Sequence, residues 1–342
     1  MKNIKVSVII ATYNGHKYII DELKSILQQT YQPFEVIISD DKSTDNTCDL
    51  VQKFIDTNNL TNWNLICNSI NKGFSKNFIE ACFLAKGDLI FLADQDDIWV
   101  RNKMEIMVNL YNKLEKVKAI ASELSFIDSE SNEINAPNNI PNVKFSYNKS
   151  IEKVKPIDNI ISSYIRGCTM CFSSDILKFI RKYNLQDICS NDLLGHDWLI
   201  WMLCSLVGNC YIYHDALIKY RVHSNNTSLS ATRRTKLIGD INKRINGLQK
   251  SIDIHSFILN HSDSFINYNL KFEKKIKKCV SFEKNRLAYL EKGKINSLLY
   301  MVSHIDLYYR YYRNFTRGIK SFIGDLLYRQ KKVGEKSDVK KV

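Results

Sequence analysis

The sequence predicts an α/β fold in which a mostly parallel sheet is flanked by helices and followed by a basic α-helical tail. Three observations carry this expectation. β-Branched runs alternate with helically spaced apolar residues in the first part of the chain, and the runs end in polar or acidic loops. Beyond Ser230 glycine and proline become sparse and helical patterning dominates. A chain of 342 residues is long enough for one large domain or two modest units with ample core.

Val6–Ala11 is a β-branched run, Tyr13-Asn14-Gly15 turns the chain, and Ile19, Leu23, Ile26 and Leu27 recur at helical spacing, which completes one βα unit. Phe34–Ser39 repeats the strand signal. Asp40–Ser43 breaks it, and Asp45-Asn46-Thr47 opens a helix with Leu50, Val51, Phe54 and Ile55 on its apolar face. A strand at Trp63–Cys67, a helix from about Ser75 to Ala85, a strand from Asp88 to Leu92 and a helix near Trp99–Lys116 continue the alternation. Parallel strands joined by crossover helices bind their ligands beyond the carboxyl ends of the strands. Three loops fall there: Thr12-Tyr13-Asn14, Asp40-Asp41 and Asp94–Asp97. From Lys118 the pattern changes to the apolar run Ala119–Ile127 and then to a polar excursion, Asp128–Lys149, suited to an acceptor loop. Ile165–Phe172 reads as a strand, Trp198–Val207 as a helix, and Asn209–Arg221 as two short strands or one bent one.

Nine cysteines, odd in number and mostly inside apolar runs, point to reduced thiols in a cytosolic compartment. Cys168 and Cys171 form the one CxxC pair. Without a second pair they read as core residues on a strand, and no zinc is expected. Met1–Lys5 leads into a strand pattern without a signal-peptide h-region, and no run reaches the ~20 apolar residues of a spanning helix. Charge is unevenly placed. Residues 231–342 hold 25 of the 49 lysines and arginines and 10 of the 36 acidic residues, a net +15, against −2 for the first 230 residues. The acidic front and the lack of any recognition-helix or RNP-like signature argue against nucleic acid as a partner.

Asp94-Gln95-Asp96-Asp97 follows the apolar run Leu89–Leu92, so carboxylates are delivered at the end of a buried strand. Crowded carboxylates repel one another unless a cation joins them, and hard oxygen ligands suit Mg2+ or Mn2+. The same residues would also make an Asp-rich turn capping the next helix.

Five segments in order carry a family likeness: Val6–Asn14, Ile38–Asp45, Asn71–Asn77, Gly87–Asp97 and Gly195–Trp198. Over these the chain, from about Val6 to Asn226, resembles the family 2 glycosyltransferases, which have the GT-A fold with its Rossmann-like sheet. The resemblance implies a catalytic domain at 1–230, with a nucleotide-binding half at about 1–117 and an acceptor half at about 118–230. A basic helical extension would follow at 231–342. It implies that Thr12, Tyr13 and Asp41 hold the nucleotide base, Tyr13 by stacking and Asp41 by accepting the pyrimidine N3–H; Asp40 is an open neighbour. Asp94 and Asp96 match the DxD motif, with Asp96 as the direct ligand of Mg2+ or Mn2+ and Asp94 at the ribose or a water; Asp97 would stand behind them. Asp197 matches the family's catalytic base, although its position also suits a helix N-cap. Where many relatives read Glu-Asp this chain has His196-Asp197, which leaves position 196 open.

Tyr220–Asn226 resembles a closing motif, so His223 would complete the metal or diphosphate site and Arg221 would pair with phosphate. A satisfied structural histidine is the alternative for His223. Lys76, at a commonly basic position, would touch the nucleotide or lie solvated. Trp99 and Trp198, each beside a carboxylate loop, would line the sugar pocket.

The resemblance implies an inverting, metal-dependent transfer from a nucleotide-sugar donor to a glycan or lipid-linked acceptor in surface polysaccharide assembly. The pairing of Asp94–Trp99 with His196–Trp198 resembles bacterial transferases of rhamnose, which points to dTDP-rhamnose. A UDP-hexose or UDP-N-acetylhexosamine donor, or a non-catalytic nucleotide-sugar binder, are the alternatives. In the tail, Leu298, Met301, Ile305, Tyr308, Tyr312, Phe315, Ile319, Phe322 and Leu326 alternate with Arg310, Arg313, Arg317 and Lys320, as in an amphipathic basic helix. Such a helix suits an anionic cytoplasmic leaflet and a peripheral, cytoplasmic-face location, or else docks on protein.

Overall fold

A computed structural model describes residues 3–137, 150–156, 165–189, 195–224, 226, 241–312 and 318–328. It falls into two compact units, one holding the described residues up to 155 together with 165–189 and 195–226, the other the helices from residue 241 onward.

The first unit is built on one sheet. β1 (Val6–Thr12), β2 (Glu35–Asp40), β3 (Trp63–Cys67) and β4 (Leu89–Asp94) are connected through α1 (Ile19–Leu27), α2 (Thr47–Thr57) and α3 (Phe74–Cys82). They pair in parallel in the order β3-β2-β1-β4. Val6, Val8, Ile10, Val36, Ile38, Leu89 and Phe91 are buried in the core, with Ile9 and Ile90 buried on the alternate positions. Burial on both faces is why these strands read as continuous apolar runs rather than alternating ones.

Beyond β4 come β5 (Ile98–Trp99), α4 (Lys103–Lys113), β6 (Val117–Ile127), β7 (Glu133–Ile134) and β8 (Ile151–Val154). β9 (Met170–Ser173), α5 (Asp175–Lys182), α6 (His196–Val207) and β10 (Asn209–Arg221) complete the unit. β9 runs antiparallel between β4 and β6, and β10 lies parallel to β6. β10 is a single bent strand, its register slipping at Tyr213/Ala216 and Ala216/Lys219. The polar excursion includes β7, folded back on β6; residues 138–149 lie outside the described residues. Trp99, expected at the sugar pocket, is instead core: it is 3% exposed, paired across β5 with Ile218 and tilted against Phe91 at 5.7 Å. A two-residue strand at the sheet edge turns its indole inward.

The second unit is helical: α7 (Ile241–Asn260), α8 (Leu270–Lys292), α9 (Ile295–Ser303), α10 (Ile305–Tyr312) and α11 (318–328). The Asn269 side chain caps α8 by accepting the Phe272 N–H, and Gly293 at φ 67° ends it, a left-handed position that glycine occupies without strain. Phe282, Tyr289, Met301, Leu307 and Tyr308 form its core, with Leu298, Phe322 and Leu326 packed against them. The fully buried Asp325 accepts from Arg286 Nε and Tyr308 Oη, each at 2.6 Å, and pairs with Arg244.

This corrects the reading of the tail as one amphipathic helix. The chain breaks at His304 between α9 and α10, and the expected membrane face is turned into the unit's own core. Of that face Ile305 stays exposed, and the other exposed apolar residues here lie off it: Ile295, Leu299 and Val302 on α9, then Ile323 and Leu327. Residues 313–317 lie outside the described residues, as does the expected boundary near 230. Among the described residues, no helix is long and apolar enough to cross a membrane.

Candidate active site

Sheet register brings the three loops level. Thr12 pairs with Asp40 across β1 and β2, and Ala11 with Asp94 across β1 and β4, so all three strands end side by side. Asp40 is absorbed by the turn: it accepts Thr12 Oγ1 at 2.7 Å, and the Ser43 N–H and hydroxyl at 2.7 and 2.5 Å. Asp41, 3% exposed, accepts the backbone N–H groups of Lys72 and Gly73, each at 2.7 Å. The Asn71-Lys72-Gly73 turn is thereby fixed beside the end of β2. Tyr13 is 47% exposed, its ring available for stacking, while Gln95 grips its backbone at both N–H and C=O. Gln95 was not singled out from sequence, and its two-point bond to a neighbouring strand end had no local signal. Lys76 points along α3 to Glu80, at 3.8 Å, and is largely exposed, so the structure does not bring it to the carboxylates.

Asp96 and His223 meet. His223 Nε2 lies 2.7 Å from Asp96 Oδ2, and Asn226 Nδ2 reaches the same oxygen at 3.3 Å. Asp94 is partly buried, and its carboxyl is pushed up to about 7 by burial, then by the charges of Asp96 and Asp197, against the opposing pull of Arg166. Asp197 is therefore within electrostatic range of the β4 end, although 103 residues away in sequence. Gly167 lies beside both, with His196 its tightest neighbour. A Cβ there would lie 3.6 Å from both Leu92 of β4 and Asp197 Cβ, and 3.2 Å from His196 Nε2.

Asp197 sits in the first turn of α6, where its Oδ1 accepts the Trp198 N–H at 2.7 Å. The cap position itself is Gly195, which makes no side-chain bond, so the carboxylate serves the helix start without being its N-cap. His196 is buried between Phe78, stacked at 4.2 Å, and Phe74; burial holds its pKa below the usual value. Trp198 is also buried, at 7% exposure.

Arg221, expected at a phosphate, is committed elsewhere. Its guanidinium donates to the Asp96 carbonyl (2.8 Å) and Ser131 Oγ (2.8 Å), approaches Asp21 (3.3 Å) and lies over the Tyr18 ring; the residue is 1% exposed. Its backbone N–H binds Asp97 Oδ1 at 3.0 Å. Arg221 thus holds the acidic loop from behind, together with a buried layer of Asp97, Glu22 and Lys103. The Lys103 ammonium donates to the Cys168 carbonyl at 2.7 Å and lies 3.6 Å from the Trp99 ring centre.

Two carboxylate groups could hold a cation. Ligand atoms of Asp94, Asp97 and Cys168 lie within 4.8 Å of one another, but burial keeps the Cys168 thiol protonated. A protonated soft donor does not suit a hard divalent ion. Asp96 and His223 suit it better: adjacent ligands about 2.1 Å from one octahedral ion stand roughly 3 Å apart, close to the separation seen here. The repulsion that raises Asp94 is what a cation in this place would relieve.

A parallel sheet with an acidic loop beyond its strand ends and an antiparallel strand inserted after β4 is the GT-A glycosyltransferase fold. Comparison with known proteins agrees. The model of Glycosyl transferase family 2 matches residues 7–178, half of the chain, and the chain belongs to that family. It is 29% identical over 296 residues, 83% of this chain and 99% of the relative, to the UDP-Glc:alpha-D-GlcNAc-diphosphoundecaprenol beta-1,3-glucosyltransferase WfaP of Escherichia coli. It is 28% identical over 64% of this chain and 72% of the relative to the dTDP-rhamnosyl transferase RfbG of Shigella flexneri. Among solved structures, the mannosyltransferase PcManGT of Pyrobaculum calidifontis, in complex with GDP-Man and Mn2+, shares the fold at TM-score 0.52. That likeness has 16% identity and covers 96% of this chain and 88% of the other.

Proposed function

We propose that this glycosyltransferase moves a sugar from a nucleotide-diphosphate donor to a hydroxyl of a glycan or lipid-linked acceptor, with inversion, in bacterial surface polysaccharide assembly. The observation that carries the reading is the convergence of Asp96 with His223 and of Asp94 with Asp197 at the ends of β1, β2 and β4. Thr12, Tyr13 and Asp41 would hold the base, with Lys76 at the nucleotide's edge and Asp94 at the ribose. Asp96 and His223 would hold Mg2+ or Mn2+, which when bound supplies charge neutralisation for the leaving diphosphate. Asp197 is the general base. As the acceptor oxygen bonds to the anomeric carbon and the bond to the diphosphate oxygen breaks, the acceptor's proton passes to the Asp197 carboxylate. One displacement from the face opposite the leaving group inverts the anomeric centre.

RfbG supports dTDP-rhamnose as donor; WfaP, matched over nearly its whole length, favours a UDP-hexose and a lipid-linked acceptor. Assaying the full chain with Mn2+ against dTDP-rhamnose, UDP-glucose, UDP-galactose and UDP-N-acetylhexosamines, with NMR of the product anomer, tests both donor and stereochemistry. Transfer with retention would remove the general-base role. No turnover of any donor would favour the non-catalytic binder.

The net +15 of residues 231–342 supports peripheral association with an anionic cytoplasmic leaflet, through the ridge Ile295, Leu299 and Val302 rather than the buried face. Flotation of the full chain with anionic liposomes, compared with Leu299→Asp, tests this. Equal recovery of the two proteins in the lipid fraction would exclude the ridge.

A further inference from the structure

Asn226 closes the segment after β10 and is 4% exposed. Its side-chain amide has three partners, and they fix its orientation. Nδ2 donates to Asp96 Oδ2 at 3.3 Å and to the Arg221 carbonyl at 3.0 Å, while Oδ1 accepts the His223 N–H at 2.6 Å. Two acceptors on one side and a donor on the other leave only one way round for the amide. The Asn226 N–H also returns to the His223 carbonyl at 3.3 Å, a second bond between these two residues. On the other side of His223, the Tyr18 ring lies 4.9 Å away, with Arg221 over it at 4.6 Å.

We propose that Asn226 is a positioning residue: one buried amide, bonded to the Asp96 carboxylate and the His223 backbone, sets the two ligands of the divalent cation relative to each other. The inference rests on the reading of Asp96 and His223 as metal ligands and adds a residue outside that pair. An amide is suited to the task. Its NH2 can bond to a carboxylate without competing for the cation, whereas an aspartate there would face the Asp96 oxygen with like charge. Groups that orient metal ligands in this way typically contribute 10- to 100-fold in metal affinity.

The test is Mn2+ binding, followed by the electron paramagnetic resonance of the free ion, for the full chain with UDP or dTDP present and no acceptor. Asn226→Ala and Asn226→Ser are expected to weaken Mn2+ about 10- to 100-fold while leaving nucleotide affinity without metal unchanged. Mn2+ affinity within twofold of wild type in both variants overturns the proposal. Loss of metal-free nucleotide affinity in both also overturns it, by assigning Asn226 to the fold. Asp96→Ala separates the two readings. If it keeps Mn2+, the metal site itself is wrong; if it loses Mn2+ while the Asn226 variants keep it, only the positioning role fails.

Discussion

Asp41 Oδ2 accepts the Gly73 N–H at 2.7 Å, tying the end of β2 to the start of α3. Gly73 stands at φ 80° and ψ 151°, a region almost reserved for glycine. Asp41 is thus a structural residue as well as a candidate for the base. Asp41→Asn should cost about 1.5–3 kcal/mol, the range for a hydrogen bond to a charged group, measured by urea unfolding without nucleotide. UDP affinity should fall further than that loss of folded protein explains. Unchanged UDP affinity in the folded variant would remove Asp41 from the base pocket.

Asp197→Asn should lower kcat about 100- to 10,000-fold with little change in donor affinity, the signature of a lost general base. Gly195→Ala offers a second approach to the same carboxylate. A Cβ there would come within 2.5 Å of Asp197 Oδ1, at a backbone conformation open to any residue. It should therefore reduce kcat without unfolding the chain. Full turnover in both variants, measured on whichever donor the panel identifies, would end the assignment.

The βα units were legible because their residues repeat a local signal: β-branched runs, then apolar residues at helical spacing. The carboxylate loops were legible for the same reason, as each follows a strand. What stayed hidden depends on distant pairing. Gln95 holding Tyr13, Asn226 holding Asp96, and Arg221 turned inward are bonds across 82 to 130 residues. Trp99 and the tail show the other limit. Periodicity identifies an apolar face, and only packing decides whether that face meets protein or solvent, as it did for Met301 and Leu299.

His196 yields a prediction in pH. Burial holds it neutral in the fold, below the usual 6.5. As pH falls, the unfolded chain takes up the proton first, so stability is full above about 6.5 and declines below it. His196→Phe keeps the stack on Phe78 and removes the titration. The urea midpoint should then fall less between about pH 7.5 and pH 5 than in wild type. Parallel slopes for the two proteins would contradict a neutral buried imidazole.

Lys103, Glu22 and Asp97 form a buried charge cluster behind the acidic loop, all 0% exposed. Burial and then the neighbouring carboxylates raise Glu22, and burial lowers Lys103 to about 8 despite the nearby acids. Burial raises both acids, which favours their neutral forms beside the one ammonium. Lys103→Met keeps the volume and removes the only cation of this trio, along with the donor to the Cys168 carbonyl. It should cost about 1.5–3 kcal/mol, the range for losing a hydrogen bond from a charged group. Adding Glu22→Gln should restore part of that loss, with a coupling of about 0.5–3 kcal/mol in a double-mutant cycle. The pH dependence separates this from simple repacking. Because the folded pKa of Lys103 lies below its usual 10.5, the unfolded chain binds more protons between about pH 8 and 10.5. The Lys103 contribution therefore rises with pH across that window, and the variant should lack the rise. Additive single and double variants, with the same pH slope as wild type, would show that the three side chains do not act as one charge cluster.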